Sequence, residues 1–191
     1  MGTPPAVQPA EVLLRVRSAA GFAIVDLLFV CGIIGILSSI ALPRLMTARG
    51  AATSASAIGS LRVIASGEVA FAITCGGGFY APTLTKLAKP PLGASEGYLR
   101  SDLGAADQVI KSGYEFELAT TPYGGAPDTC NGLGTGQTGL AFKVKGDPLD
   151  VPNNTRYFGT NAGIVIWEDT ASLFASMPEA GDPPAGHPIK F

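Results

Sequence analysis

The chain has 191 residues and a formal net charge of −2, and its length allows one domain plus an anchor or a tail. The region after Gly50 carries 13 acidic and 9 basic residues, a formal net charge of −4, which argues against non-specific binding to nucleic acid. The only histidine, His187, lies in a proline-rich stretch near the end, which argues against a histidine-based catalytic triad.

Residues 1–21 contain Pro4, Pro5 and Pro9, then Arg15 and Arg17, and read as a leader. From Phe22 to Leu42 the chain is apolar almost throughout, a length suited to a bilayer core of about 30 Å. One carboxylate, Asp26, interrupts it. A charge inside a span costs about 2.5–3.5 kcal/mol on insertion scales, so an acid there is a functional candidate. Cys31 lies in the same run and behaves as a small hydrophobe. Gly35 and Ser39 form a small-xxx-small pair, either a close-approach surface between helices or simple tolerance of small residues. Arg15 and Arg17 before the span balance Arg44 and Arg49 after it, so basic residues set no orientation.

The helical pattern continues past the apolar run. Ile58, Leu61, Ala65, Val69 and Ala72 recur at helical spacing, with Arg62, Ser66 and Glu68 read as the polar positions between them. Pro43 is expected to kink this helix, and Cys75-Gly76-Gly77-Gly78 to end it near Thr74. A loop-rich stretch follows, with short helices expected over Thr83–Ala88 and Leu103–Lys111. Tyr114, Phe116 and Leu118 alternate with Glu115 and Glu117 as in a half-buried strand. Leu140, Phe142 and Val144 alternate with Lys143 and Lys145, which suggests Glu–Lys pairing across strands. Arg156–Thr160 and Gly163–Glu168 flank Asn161-Ala162 as a hairpin. Residues 178–191 hold four prolines and read as an irregular tail.

Gly132–Gly139 is glycine-rich but lacks the lysine of a phosphate-binding loop, so a flexible loop is the better reading. Cys75 and Cys130 both fall in the region after the helix. In an oxidising compartment they can pair, closing a loop of about 56 residues worth roughly 4 kcal/mol by chain entropy. Two free thiols are the alternative.

The junction Gly21-Phe22, Asp26, Leu27-Leu28, the run Ile33-Ile34-Gly35-Ile36-Leu37 and Pro43 together resemble the N-terminus of the type IV pilins and type II secretion pseudopilins. The matching features cover about residues 15–50. The resemblance implies cleavage after Gly21 by a prepilin peptidase and N-methylation of Phe22. It implies that Asp26 pairs with a neighbour's N-terminus during assembly, where the family usually has the longer glutamate. Gly35 and Pro43 match the sites where the family's helix loosens in the filament. Leader in the cytoplasm and head outside follow from the same resemblance. So does a calcium candidate at Asp147 and Asp150, near Asn153 and Asn154, since major pseudopilins often hold calcium in a head loop. Their spacing matches no calcium motif, and a solvated turn is the first reading.

The expected architecture is therefore α+β, a long N-terminal membrane-spanning helix with a small antiparallel β-sheet head. Residues 1–21 are the leader, 22–43 the transmembrane and filament-core helix, 44–74 its amphipathic continuation, 75–177 the head and 178–191 the tail. The implied function is structural, not enzymatic, with no cofactor beyond the calcium candidate. The subunit would enter the inner membrane by a single pass, head outside, and self-assemble with identical or related subunits through the pilus or type II secretion machinery. A pseudopilin is the first alternative. A monomeric membrane-anchored binding protein is the second.

Overall fold

The structure, a computed structural model, describes residue 2, residues 24–152 and residues 154–189. The chain divides between Pro43 and Arg44 into two compact units. Helix α1, Ile24–Thr74, contains Pro43 in its interior. Three glycines end it. Gly77 and Gly78 have φ of 61° and 93°, a left-handed conformation that L side chains avoid. The N–H groups of Gly76 and Gly78 then turn back to the carbonyls of Phe71 and Ala72, at 2.8 Å each.

The remaining elements are α2 (Leu84–Ala88), α3 (Ser101–Gly104), β1 (Gln108–Lys111), β2 (Tyr114–Ala119), β3 (Lys143–Pro148), β4 (Tyr157–Asn161), β5 (Ile166–Asp169) and β6 (His187–Pro188). The strands form one antiparallel sheet in the order of the chain. Alternation puts Tyr114, Phe116, Leu118, Val144 and Phe158 on one face, all buried. They share a core with Ala57, Leu61, Ile64, Ala65 and Phe71 of α1. The buried positions of α1 recur at three- and four-residue steps, as a helix lying on a sheet requires.

On the opposite face Lys145 reaches Glu115 at 2.8 Å and Glu117 at 3.0 Å, so the cross-strand pairing expected from the alternation is present. Phe174 lies over this face, with the Lys143 and Lys145 ammonium groups 5.0 and 5.4 Å from its ring centre. Cys75 and Cys130 are joined in a disulfide with Cα atoms 4.9 Å apart, which ties the end of α1 to the long β2–β3 excursion.

The chain departs from the sequence expectations at four places. Leu103–Lys111 is not a helix. Helix α3 ends at Gly104, and Gln108–Lys111 is an edge strand. The reason lies just beyond it: Ser112 and Gly113 both have positive φ, 52° and 79°, the two-residue turn that suits hairpin twist. The strand expected from Leu140 begins instead at Lys143, because Gly139 bridges Tyr80 and Pro122 and leaves Leu140 63% exposed. Glu68 is not among the polar flanks of α1 but wholly buried. The tail is not wholly irregular. His187–Pro188 pair with β5, and Asn161 Nδ2 donates to the carbonyls of Pro178 and Gly181 at 3.0 and 2.7 Å.

Candidate functional site

Apart from Asp26, residues 24–42 of α1 are apolar on every side. Such a helix needs apolar surroundings, since no face of it is suited to water. Its most apolar window has mean hydropathy 2.4, and none of that window is buried by the rest of the chain. Ile24, Leu28, Phe29, Ile36 and Leu42 are all more than half exposed. By length and composition this helix can cross a membrane. Its one hydroxyl pair includes Ser39, whose Oγ donates to the Ile36 carbonyl at 2.7 Å and so meets no unpaired fate in apolar surroundings.

Asp26 lies in the first turn of α1. A carboxylate there faces the positive end of the helix dipole, which favours it by about 0.3–1 kcal/mol. Among the described residues no hydrogen bond or ion pair engages it. Gly35 follows on the same helix, and an added Cβ there would meet nothing within 4 Å. The folded chain itself therefore gives no packing reason for glycine at that position. Pro43 is inside the helix and has no N–H to offer the carbonyl of Ser39. Asp26 and Pro43 are separated by about 25 Å along the helix at 1.5 Å per residue, close to a bilayer core. Gly21 and Phe22, the expected cleavage and methylation residues, lie outside the described residues.

Asp147 and Asp150 have different surroundings. Asp147 Oδ2 accepts from Ser172 Oγ at 2.6 Å, on the sheet face that holds Lys145, and burial pushes its carboxyl above the usual range against that hydrogen bond. Asp150 lines a cleft with Met46, Arg49 and Asn154. Asn153 lies outside the described residues. Among the described residues no three His, Cys, Asp or Glu side chains gather as a metal-holding group. The glycine-rich Gly132–Gly139 stretch is preceded by Asn131, whose Nδ2 donates to the carbonyls of Lys86 and Lys89 at 2.9 and 3.3 Å and so closes the end of α2. His187 is exposed on β6.

No protein-family model matches the chain, and neither a curated protein nor a solved structure matches it significantly.

Glu68 is the titratable group that type-based reading missed. It falls four residues after Ile64 and three before Phe71, on the buried stripe, and that spacing was the available signal. Its Oε2 accepts the Ala81 N–H at 2.8 Å, while Oε1 is buried with no hydrogen bond. Burial pushes its pKa up to about 8, against the opposing pull of the Ala81 N–H. The folded head thus binds a proton that the unfolded chain releases near pH 4.5. The resulting stabilisation is complete below pH 4.5 and is lost as pH rises through about 8. Denaturant unfolding between pH 5 and 9 should show stability falling by a few kcal/mol, and Glu68→Gln should flatten that slope. An unchanged slope in Glu68→Gln would show that another group sets it.

Proposed function

We propose that the protein is a structural subunit of a type IV pilus-like filament. It is held in the inner membrane by the first half of α1 before assembly and packed in the filament core by the same surface afterwards. The observation that carries this reading is a helix apolar on every side, unburied by its own chain, with one carboxylate in its first turn. A plain anchor has no use for that acid, which opposes insertion. A filament subunit does. With cleavage after Gly21, the α-amine of Phe22 becomes a cation at the start of the span. Asp26 of one subunit then neutralises Phe22 of the next. An unpaired buried charge is costly, so only the stagger that pairs both groups is rewarded.

The head forms the filament surface. Its Cys75–Cys130 bridge suits an oxidising compartment, which supports a head outside the cytoplasm and a leader inside. The role is architectural, with self-association and a prepilin peptidase as the partners it requires.

Intact mass and N-terminal peptide analysis of membrane-extracted protein test the processing step. The mature chain should begin at Phe22 and carry an N-methyl group. A mature chain that begins at Met1 makes the protein a simple anchored one. The assembly role is tested by filament yield relative to total membrane subunit. Asp26→Ala should insert at least as well as the parent but lose filament incorporation. Asp26→Glu should retain it, since charge is kept and reach grows by one methylene. Equal assembly of Asp26→Ala would remove the register role.

A further inference from the structure

The connection from α1 to α2 is drawn onto the head at Tyr80 and Ala81. Tyr80 exchanges both backbone hydrogen bonds with Gly139, at 2.8 and 3.1 Å. Ala81 is wholly buried. Its N–H donates to Glu68 Oε2 at 2.8 Å, and its carbonyl accepts from Thr120 Oγ1, just past β2, at 3.0 Å. Of these hydrogen bonds only the one to Glu68 reaches α1. The flanks are held by other means. Before the connection, Cys75 is bridged to Cys130. After it, Leu84 and Leu87 of α2 are wholly buried, and Asn131 Nδ2 closes the end of α2. Gly77 and Gly78, both at positive φ, stand between the bridge and residue 79, where the chain can change direction at least cost. Residues 79–82 can therefore leave α1 without moving either flank.

The acid that holds them is poorly provided for as an anion. Glu68 Oε2 accepts one hydrogen bond and Oε1 none. A buried carboxylate needs several donors or a cation to stay charged. The basic side chains on the surrounding elements, Arg62 of α1 and Lys86 and Lys89 at α2, are exposed. The other titratable groups there are Tyr80, Tyr98, Tyr123 and Glu179, none of them a cation. None of these groups acts on Glu68, whose ionisation is governed by burial and, in the opposite sense, by the Ala81 N–H. As a neutral acid Glu68 keeps that hydrogen bond without a buried charge. As an anion it is better served by water, which it reaches only if the connection moves.

We propose that Glu68 is a proton-dependent pin: with its proton it holds residues 79–82 on α1, and without it they lift away while the sheet and the disulfide stay in place. Opening returns Glu68 to water, where a carboxyl ionises near pH 4.5, whereas in the closed head it ionises near 8. Opening therefore releases a proton, and between those two values each pH unit favours the open form about tenfold. Below pH 4.5 the connection stays closed, and above about pH 8 its opening no longer changes with pH. Opening uncovers Ala81 and separates Phe79 from Tyr123, whose rings stack at 5.8 Å in the closed head. The head thus changes one patch of its surface, beside the disulfide, between acid and neutral surroundings. This device is independent of what the first half of α1 does.

The test is native-state hydrogen exchange, read by mass spectrometry, on the full chain in phospholipid nanodiscs with its disulfide closed. Rates are corrected for the intrinsic pH dependence of amide exchange. The Phe79, Tyr80 and Ala81 amides, each a donor in the closed head, report the connection, and the amides of β3 report the sheet. From pH 5.5 to 7.5 the connection should lose roughly a hundredfold in protection, and that protection should not change with urea below the unfolding transition. Protection at β3 should be higher and should fall with urea, since those amides open only with the whole head. Glu68→Gln keeps an acceptor for the Ala81 N–H but has no proton to lose, and should abolish the pH dependence at the connection. Protection of residues 79–81 that is the same at both pH values would overturn the proposal. So would protection that falls with urea in parallel with β3, because the connection then opens only when the head unfolds. The parent protein alone decides both of these points. A hundredfold fall that persists in Glu68→Gln would assign the proton to another group and overturn the proposal as well.

Discussion

One helix has to satisfy two different surroundings. Residues 24–42 of α1 are apolar on every side and find no cover in their own chain, while residues 54–72 bury a single stripe against a sheet. The backbone of a helix is satisfied internally, so the same element serves in lipid and beneath a folded head without a change of hydrogen bonding. Everything else follows from that division. The apolar half is long and apolar enough to cross a membrane, and the other half supplies one wall of the head's core.

The head meets that demand with few means. Its core is built between one helix face and one face of a six-stranded sheet. The two ends of the α1 stripe are fixed by different chemistry. At the far end the Cys75–Cys130 bridge secures the helix terminus to the β2–β3 excursion. At the near end the Tyr114 hydroxyl joins Ser54 of α1 to Asn154 and, through its own donation at 3.0 Å, to the Arg156 carbonyl. Losing that hydroxyl would leave the buried Ser54 Oγ without its partner, which is costly. Glu68 sits between these two anchors as a buried carboxyl with one oxygen unsatisfied, and burial pushes its pKa up.

Much of this was readable from residue order. The apolar run, the Cys-Gly-Gly-Gly stop and the alternation of Tyr114, Phe116 and Leu118 are local signals, and local physics enforces each of them. The candidate positions Asp26, Gly35 and Pro43 fall on one helix, as the pattern implied. What could not be read depends on partners distant in the chain. Gln108–Lys111 is a strand only because Ser112 and Gly113 turn it onto β2. His187–Pro188 is a strand only because β5 is beside it. Glu68 was assigned by residue type to the wet side, when its spacing from Ile64 and Phe71 placed it on the dry one.

The central claim is that residues 44–191 fold on their own and that residues 24–43 exist for an apolar environment. The most direct measurement is cooperative unfolding of a protein comprising residues 44–191, made in an oxidising compartment and purified without detergent, beside the full chain in bilayers. The account predicts a soluble protein with a closed disulfide, rigid aromatic packing by near-ultraviolet circular dichroism and the same unfolding midpoint as the head of the full chain. A shortened protein that aggregates, or keeps secondary structure without fixed packing, would show that the apolar helix belongs to the head's core and would contradict it.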